Sequence, residues 1–179
     1  AVRVGIGGGS ICSTRIQTGH GVPTLQSVLD CSVSDRPAKL IADGGIKNSG
    51  DIVKAYAAGA DFVMIGSMLA GTTETPGDIK YKQFPGQNNP TRIKVYRGMA
   101  SEDAQKDWRG KSSSVEGVAT TVPYKGHAST VLKTIERGVK SGFSYSGART
   151  FAEFQAKAKL IRQTASSQVE SSTHIERVN

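Results

Sequence analysis

One cysteine stands where a nucleophile would. Cys12 lies in the string Gly5-Ile6-Gly7-Gly8-Gly9-Ser10-Ile11-Cys12-Ser13-Thr14-Arg15. A thiol in a glycine-rich loop, near backbone amides and a cationic side chain, is expected to act as a nucleophile. The alternative for a single cysteine is an inert small hydrophobe, and that is the reading for Cys31, at the end of an apolar stretch. A second chemistry is written in three glycine turns: Gly7-Gly8-Gly9-Ser10, Asp43-Gly44-Gly45 and Gly66-Ser67. Backbone amides flanked by small residues make a phosphate cradle. The hydroxyls of Ser10 and Ser67 add donors, and Asp43 is placed to accept from a pair of ribose hydroxyls. A lone Gly-Gly is usually a tight turn; three at matched positions point to a phosphorylated ligand.

These turns need elements to carry them. Val2-Arg3-Val4-Gly5-Ile6 reads as a strand entering the first turn. A helix follows Pro23 through Leu25, Val28 and Leu29, whose spacing of three and four makes one buried face. Lys39-Leu40-Ile41-Ala42 is a second strand. Ser49 can cap the next helix, with Ile52, Val53, Tyr56 and Ala57, and Gly59 can stop it. Phe62-Val63-Met64-Ile65 is a third strand. The recurrence of strand, glycine turn and helix over residues 1–70 indicates parallel α/β units. In that architecture the strand C-termini, and with them the three turns, share one face.

Residues 71–126 break the pattern. The Gly, Pro, Thr, Gln and Asn of 71–92 predict an exposed excursion, a hairpin between Tyr81 and Val95. The polar segment 100–121, with Lys111-Ser112-Ser113-Ser114, reads as a mobile flap. Helices resume over 127–179: one at Ser129–Lys140, with Val131, Leu132, Ile135 and Val139 on one face, and one near Thr150–Ala158. The polar tail Ser166–Asn179 is expected to need a partner surface for any order.

Composition narrows the classes. The chain has 179 residues and a net charge of +8, from 23 Lys and Arg against 15 Asp and Glu. No apolar run approaches the roughly 20 residues of a membrane span, and the first residues do not read as a signal peptide. Two cysteines make no disulfide scaffold, and no Cys/His spacing suits zinc. A reducing, cytoplasmic setting is expected, with no membrane partner. The positive charge fits an anionic ligand. Like charges form no long run and aromatics are scattered, so no nucleic-acid module is recognised and nucleic acid is not expected as a partner.

Five strings together resemble the inosine monophosphate (IMP) dehydrogenase and guanosine monophosphate (GMP) reductase family. They are the Cys12 loop, Ala42-Asp43-Gly44-Gly45-Ile46, Val63-Met64-Ile65-Gly66-Ser67-Met68-Leu69-Ala70-Gly71, Tyr96-Arg97-Gly98-Met99 and Val122-Pro123-Tyr124-Lys125-Gly126. They stand in family order across nearly the whole chain. Gly8 departs from the family, where many members carry proline or serine. The resemblance implies a purine nucleoside monophosphate (GMP, IMP or xanthosine monophosphate) with its phosphate on Ser10, Gly45, Gly66, Ser67 and Tyr96. Asp43 would hold the ribose, and Gly98, Met99 and Ala100 the purine. Cys12 would attack purine C2, with Thr14 and Glu116 handling protons, and a hydride would pass to or from NAD or NADP. It also implies a potassium site on the carbonyls of Gly7, Gly9 and Cys12. Glu170, Ser171 and Ser172, from this chain or a neighbouring subunit, would complete it in a homo-oligomer, tetrameric in the complete enzyme.

Within the family the residues pull two ways. The dehydrogenase places an Arg-Tyr pair in its flap to activate water. Between Met99 and Glu116 no such pair occurs, the nearest being Trp108-Arg109, which favours the reductase. Thr72-Thr73-Glu74-Thr75-Pro76-Gly77 and Glu170-Ser171-Ser172-Thr173-His174-Ile175 look more like the dehydrogenase. The expected fold is α/β, the C-terminal part of a (β/α)8 TIM barrel, about strands 6–8, with an inserted flap and a C-terminal tail. All of 1–179 would form one catalytic-domain portion, divided at 70 and 126. Such a barrel takes about 250 residues, and three parallel strands cannot close one. An N-terminal half-barrel is therefore expected from a longer parent chain or a separate polypeptide. The alternatives to an active enzyme are an incomplete half-barrel that binds nucleotide without turnover and an inert fragment of a longer enzyme; without the missing half, the apolar edges would drive self-association.

Overall fold

The computed structural model describes residues 1–35, 37–111 and 117–173. Its first sheet is parallel, in the order β1 (Val2–Val4), β2 (Leu40–Asp43), β3 (Phe62–Met64). Val4 pairs with Ala42, and Ala42 with Val63. Parallel neighbours must be joined by crossovers. Here α1 (Thr14–Thr18) and α2 (Thr24–Ser32) make the first, and α3 (Ser49–Ala57) the second. Val28 of α2, Ala42 of the central strand and Ile52 and Ala55 of α3 are buried together with Val4, Ile46, Ala58 and Ala60. This is the apolar face that the spacing of three and four predicts for both helices.

Helix α3 starts one residue earlier than expected. Asn48, not Ser49, is the cap: its side chain accepts from the Asp51 amide at 2.9 Å, while Asp51 accepts from the Lys47 amide at 3.0 Å. This reciprocal arrangement satisfies donors that a helix start leaves open. Ser49 instead faces helix α5 (Ala128–Tyr145), which runs five residues past the expected end at Lys140. A Cβ on Gly138 would come within 2.1 Å of Ser49 Oγ, and one on Gly142 within 2.7 Å of a Val53 methyl. These two glycines serve helix contact rather than turns, and they bring Ile135 and Val139 onto the core. Helix α6 (Phe151–Lys157) closes the layer. Its Phe154 is 1% exposed and stacks on Phe143 at 4.3 Å.

The second sheet is antiparallel, in the order β4 (Lys80–Lys82), β5 (Thr91–Arg97), β6 (Ala119–Pro123). The expected hairpin is thus joined by a third strand, with Ile93 opposite Pro123 and Arg97 opposite Ala119. The segment read as a mobile flap holds helix α4 (Glu102–Arg109) and most of β6. Ser101 caps α4 from the Ala104 amide, Gly110 ends it at φ +73°, and Glu102–Lys106 and Arg97–Asp107 ion pairs flank it. The tail contains a short helix of its own, α7 (Ala165–Glu170). The two sheets meet where Thr72 bridges Gly126. Among the described residues, no helix is long and apolar enough to cross a membrane.

Candidate functional site

The three glycine turns converge. A cleft of about 330 Å³ opens between them, lined by Gly8–Ser10, Asp43–Lys47, Met64–Ser67 and Tyr96. Ser10, Asp43, Gly45, Gly66, Ser67 and Tyr96, six residues singled out in the sequence, therefore border one space. Five come from the ends of parallel strands. Tyr96 reaches in from β5, and its hydroxyl lies 3.4 Å from Ser10 Oγ. That is long for an O–H···O bond, so both hydroxyls can turn to a ligand oxygen. A second hollow of about 380 Å³ lies between α2 and α3 and shares only Gly45 with the predicted site residues.

Glycine is required where the turns touch. Gly44 has φ +90°, and a Cβ there would sit 2.5 Å from the Gly8 carbonyl carbon. Backbone meets backbone at this point, which leaves no room for a side chain. At Gly8 a Cβ would come within 2.6 Å of the Thr24 hydroxyl, so Thr24 occupies the space that proline or serine would take here. A Cβ on Gly66 would lie 3.2 Å from the Tyr96 hydroxyl.

Cys12 stands beside this cleft, on the same loop as Ser10. It is exposed, which removes the inert buried reading, whereas Cys31 is half-buried and packs on the core. The Cys12 amide bonds the Gly9 carbonyl at 3.1 Å, making a tight turn. Its Sγ lies 3.1 Å from Thr14 Oγ1, so two of the three predicted catalytic residues are in hydrogen-bond contact. Glu116 lies outside the described residues. Its successor in the sequence, Gly117, donates to Ser13 Oγ at 2.8 Å, and the Val118 amide to the Ile11 carbonyl at 3.1 Å. Residues 98–100 arrive at the same loop: the Gly98 amide bonds the Val118 carbonyl at 3.2 Å, and a Cβ on Gly98 would touch Ile11 at 3.6 Å. Met99 is 77% exposed, and Ala100 is half-buried.

Electrostatics around the cleft add residues that sequence reading missed. Asp43 is not free for a ligand on both oxygens: Arg3 Nε lies 3.3 Å from its Oδ2, and Arg3 Nη1 donates to Met64 Sδ. Lys47 lines the cleft and, among the described residues, is its one Lys or Arg. Its position directly after Gly44-Gly45-Ile46 was the available signal. Lys125 donates to the carbonyls of Ser67 at 2.8 Å and Met68 at 3.2 Å. Burial of its ammonium holds it below the ordinary lysine range.

The expected potassium donors are all oxygens, which suit a hard monovalent cation better than a soft metal. The Gly9 carbonyl accepts from Cys12. Ser171 and Ser172 hydroxyls donate to the carbonyls of Ser167 and Val169, leaving lone pairs for a cation. This donor chemistry fits. The Glu170–Ser172 segment lies at the end of α7 and just past it. Those residues contain no cluster of His, Cys, Asp or Glu able to hold a metal.

Known proteins are similar to this chain in sequence and fold. The chain is 44% identical to an inosine-5′-monophosphate dehydrogenase of Nitrosopumilus maritimus, over 97% of its own length and 38% of that protein's. It is 40% identical to a GMP reductase of Leishmania major, over 97% and 36%. Among solved structures, it matches a Cys-to-Ala variant of Trypanosoma brucei GMP reductase in complex with guanosine 5′-monophosphate. That match has a TM-score of 0.88 and 39% identity, covering 98% of this chain and 36% of the other. The chain thus spans little more than a third of these relatives. A family model described as the IMP dehydrogenase / GMP reductase domain matches residues 1–174, and the chain belongs to that family.

Proposed function

We propose that this chain carries the nucleotide half of a purine nucleoside monophosphate oxidoreductase, acting through a covalent bond between Cys12 Sγ and purine C2. One observation carries the reading: an exposed cysteine, hydrogen-bonded to Thr14, stands next to a cleft bordered by three glycine turns, two serine hydroxyls and a tyrosine. The 5′-phosphate lies on Ser10, Gly45, Gly66, Ser67 and Tyr96, and the ribose on the free oxygen of Asp43. The purine rests on Gly98, Met99 and Ala100. Thr14 takes part in moving the thiol proton, with Glu116 as its partner in that task.

The reductase direction is favoured. Cys12 thiolate adds to C2 of GMP, and the C2 amino group leaves as ammonia once protonated. A bound nicotinamide, NADPH or NADH, would supply the hydride for C2. Cys12 leaves as thiolate, releasing IMP. The sum is GMP, reduced nicotinamide and two protons giving IMP, ammonium and oxidised nicotinamide. No hydrolytic base is needed, which agrees with the missing Arg-Tyr pair; Arg109 stacks on its neighbour Trp108 instead. The second reading, IMP to xanthosine monophosphate, is favoured by Thr72–Gly77 and the 170–175 tail, which look like the dehydrogenase. Potassium on Gly7, Gly9 and Cys12 carbonyls, with Glu170, Ser171 and Ser172 of a neighbouring subunit, belongs to the same proposal, as does a tetramer in the cytoplasm. β1, β2 and β3 are read as strands six to eight of a (β/α)8 barrel, within one catalytic portion spanning 1–179. Val2, Phe62 and Met64, exposed by 48%, 55% and 41% on the two outer strands, support this, because parallel sheets are ordinarily covered on both faces.

The test needs no turnover. A purine nucleotide with an electrophilic C2 should label the chain once, and mass spectrometry should place the label on Cys12. Cys12→Ser should abolish it; labelling that survives overturns the assignment. Direction is read from nicotinamide absorbance, falling with GMP and NADPH or rising with IMP and NAD.

A further inference from the structure

Residues 66–75 belong to no helix or strand, yet their carbonyls are almost all used. The Gly66 carbonyl accepts from the Leu69 and Ala70 amides, that of Leu69 from Thr72, and that of Gly71 from Lys125. Five further carbonyls accept from two lysine side chains, that of Thr72 also taking the Thr75 amide and hydroxyl. Lys125 Nζ takes Ser67 and Met68. Lys94 Nζ takes Thr72 at 3.0 Å, Thr73 at 3.4 Å and Thr75 at 2.5 Å. Lys94 is 3% exposed, and no carboxylate pairs with it among the described residues. An ammonium in a cage of carbonyls does the work of a resident monovalent cation, with the difference that it cannot dissociate. Both lysines come from the antiparallel sheet and its exit, and both grip the segment that leaves the parallel one.

The grip bears on the cleft through peptide geometry. A trans peptide points its C=O and N–H in opposite directions. The carbonyl of Ser67 is held on Lys125, so the amide of the same peptide, that of Met68, points away from it. No backbone hydrogen bond among the described residues uses the Ser67 or Met68 amide. A cation on a carbonyl polarises its peptide and strengthens the N–H as a donor. We propose that Lys125 is a positioning residue for the nucleotide phosphate: its ammonium fixes and polarises the Gly66–Met68 turn, while Lys94 anchors the same segment further on. Lys125 touches no ligand in this account and acts through Ser67 and Met68. The inference rests on the nucleotide reading above.

The test compares wild type with Lys125→Met and Lys125→Arg in the full chain, using GMP as the probe. Lys125→Met should weaken GMP binding about fivefold to tenfold by calorimetry, and Lys125→Arg should recover most of it. Hydrogen exchange should quicken in peptides covering 66–70 and stay unchanged over 40–60, with Tm moving by no more than about 2 °C. GMP affinity unchanged in Lys125→Met, or exchange rising throughout the chain, overturns the positioning role. If wild type itself does not bind GMP, the nucleotide reading fails and this inference with it. If wild type binds and the variant binds equally, only the inference fails.

Discussion

The two sheets are held by opposite means. Among the described residues, the buried apolar clusters lie with the parallel sheet: Val4, Val28, Ala42, Ile52 and their neighbours, and the aromatic stack of α5 and α6 behind α3. In the antiparallel sheet only Ile93 is a buried apolar side chain. The other buried groups of that sheet and the adjoining α4 are Lys94, Ser101 and Gln105. What fastens it is polar: two ammonium grips, a Thr73–Tyr124 hydroxyl contact at 2.8 Å, and the Gly117–Ser13 bond. Burial of apolar area is non-directional, whereas hydrogen bonds fix orientation at modest net stability. The parallel region thus supplies the stability and the cradle. The antiparallel region supplies Tyr96 and residues 98–100 at a defined angle to it.

The largest expected effect tests the first half of that contrast. Phe154→Ala removes a ring that is 1% exposed and stacked at 4.3 Å. It should cost about 3–5 kcal/mol of global stability in denaturant unfolding. Tyr81→Ala, on a β4 ring that is 70% exposed, should stay within about 0.5 kcal/mol. Equal losses would mean that the antiparallel sheet has a core of its own.

The same contrast explains what could be read from residues alone. The parallel strands, their helices and the three turns were legible because apolar spacing and glycine position both encode them. The Cys12 loop with Thr14 was legible as local sequence. Helix α4 was not found in polar 100–121, although Ser101, Glu102 and Gly110 are ordinary start and stop signals. Its stability comes from caps and ion pairs rather than an apolar stripe, and periodicity does not see those. β6 was missed because it is defined by pairing with β5, a contact distant in sequence. Lys94 reads as the polar face of a strand, and only the fold shows that this face turns onto the Thr72–Thr75 carbonyls. Gly138 and Gly142 acquire meaning only once α5 lies on α3.

A middle-sized effect separates the contributions of the two regions to phosphate binding. Lys47 belongs to the parallel side of the cleft and Tyr96 to the antiparallel side. Lys47→Gln should weaken GMP binding by about threefold to tenfold at low salt and flatten the salt dependence, because a screened charge has gone. Tyr96→Phe removes a neutral hydrogen bond, worth about 1 kcal/mol, and should leave the salt dependence as it was. A salt slope that changes in Tyr96→Phe and not in Lys47→Gln would reverse the assignment of charge to the parallel side.

The smallest effect probes the seam between the regions. Glu74 accepts from the Ala128 amide at 2.8 Å at the start of α5, and His127 Nδ1 lies 3.4 Å from its other oxygen. The Ala128 bond, with further help from its own amide and His127, holds the Glu74 carboxyl below its ordinary value of 4.5. A depressed carboxyl pKa means the ionised form is favoured by folding. Its contribution is therefore complete above pH 4.5 and fades as pH falls through the lower, folded value. Glu74 is exposed, so solvent screens the pair and the contribution is slight. Glu74→Gln keeps an acceptor for Ala128 and loses the charge. Its Tm should sit slightly under wild type at about pH 7, and the gap should narrow as pH falls below 4.5. A gap that stays constant across that range would place the seam's stability in the hydrogen bond alone, and the link between α5 and the Thr72–Thr75 turn would then be indifferent to charge.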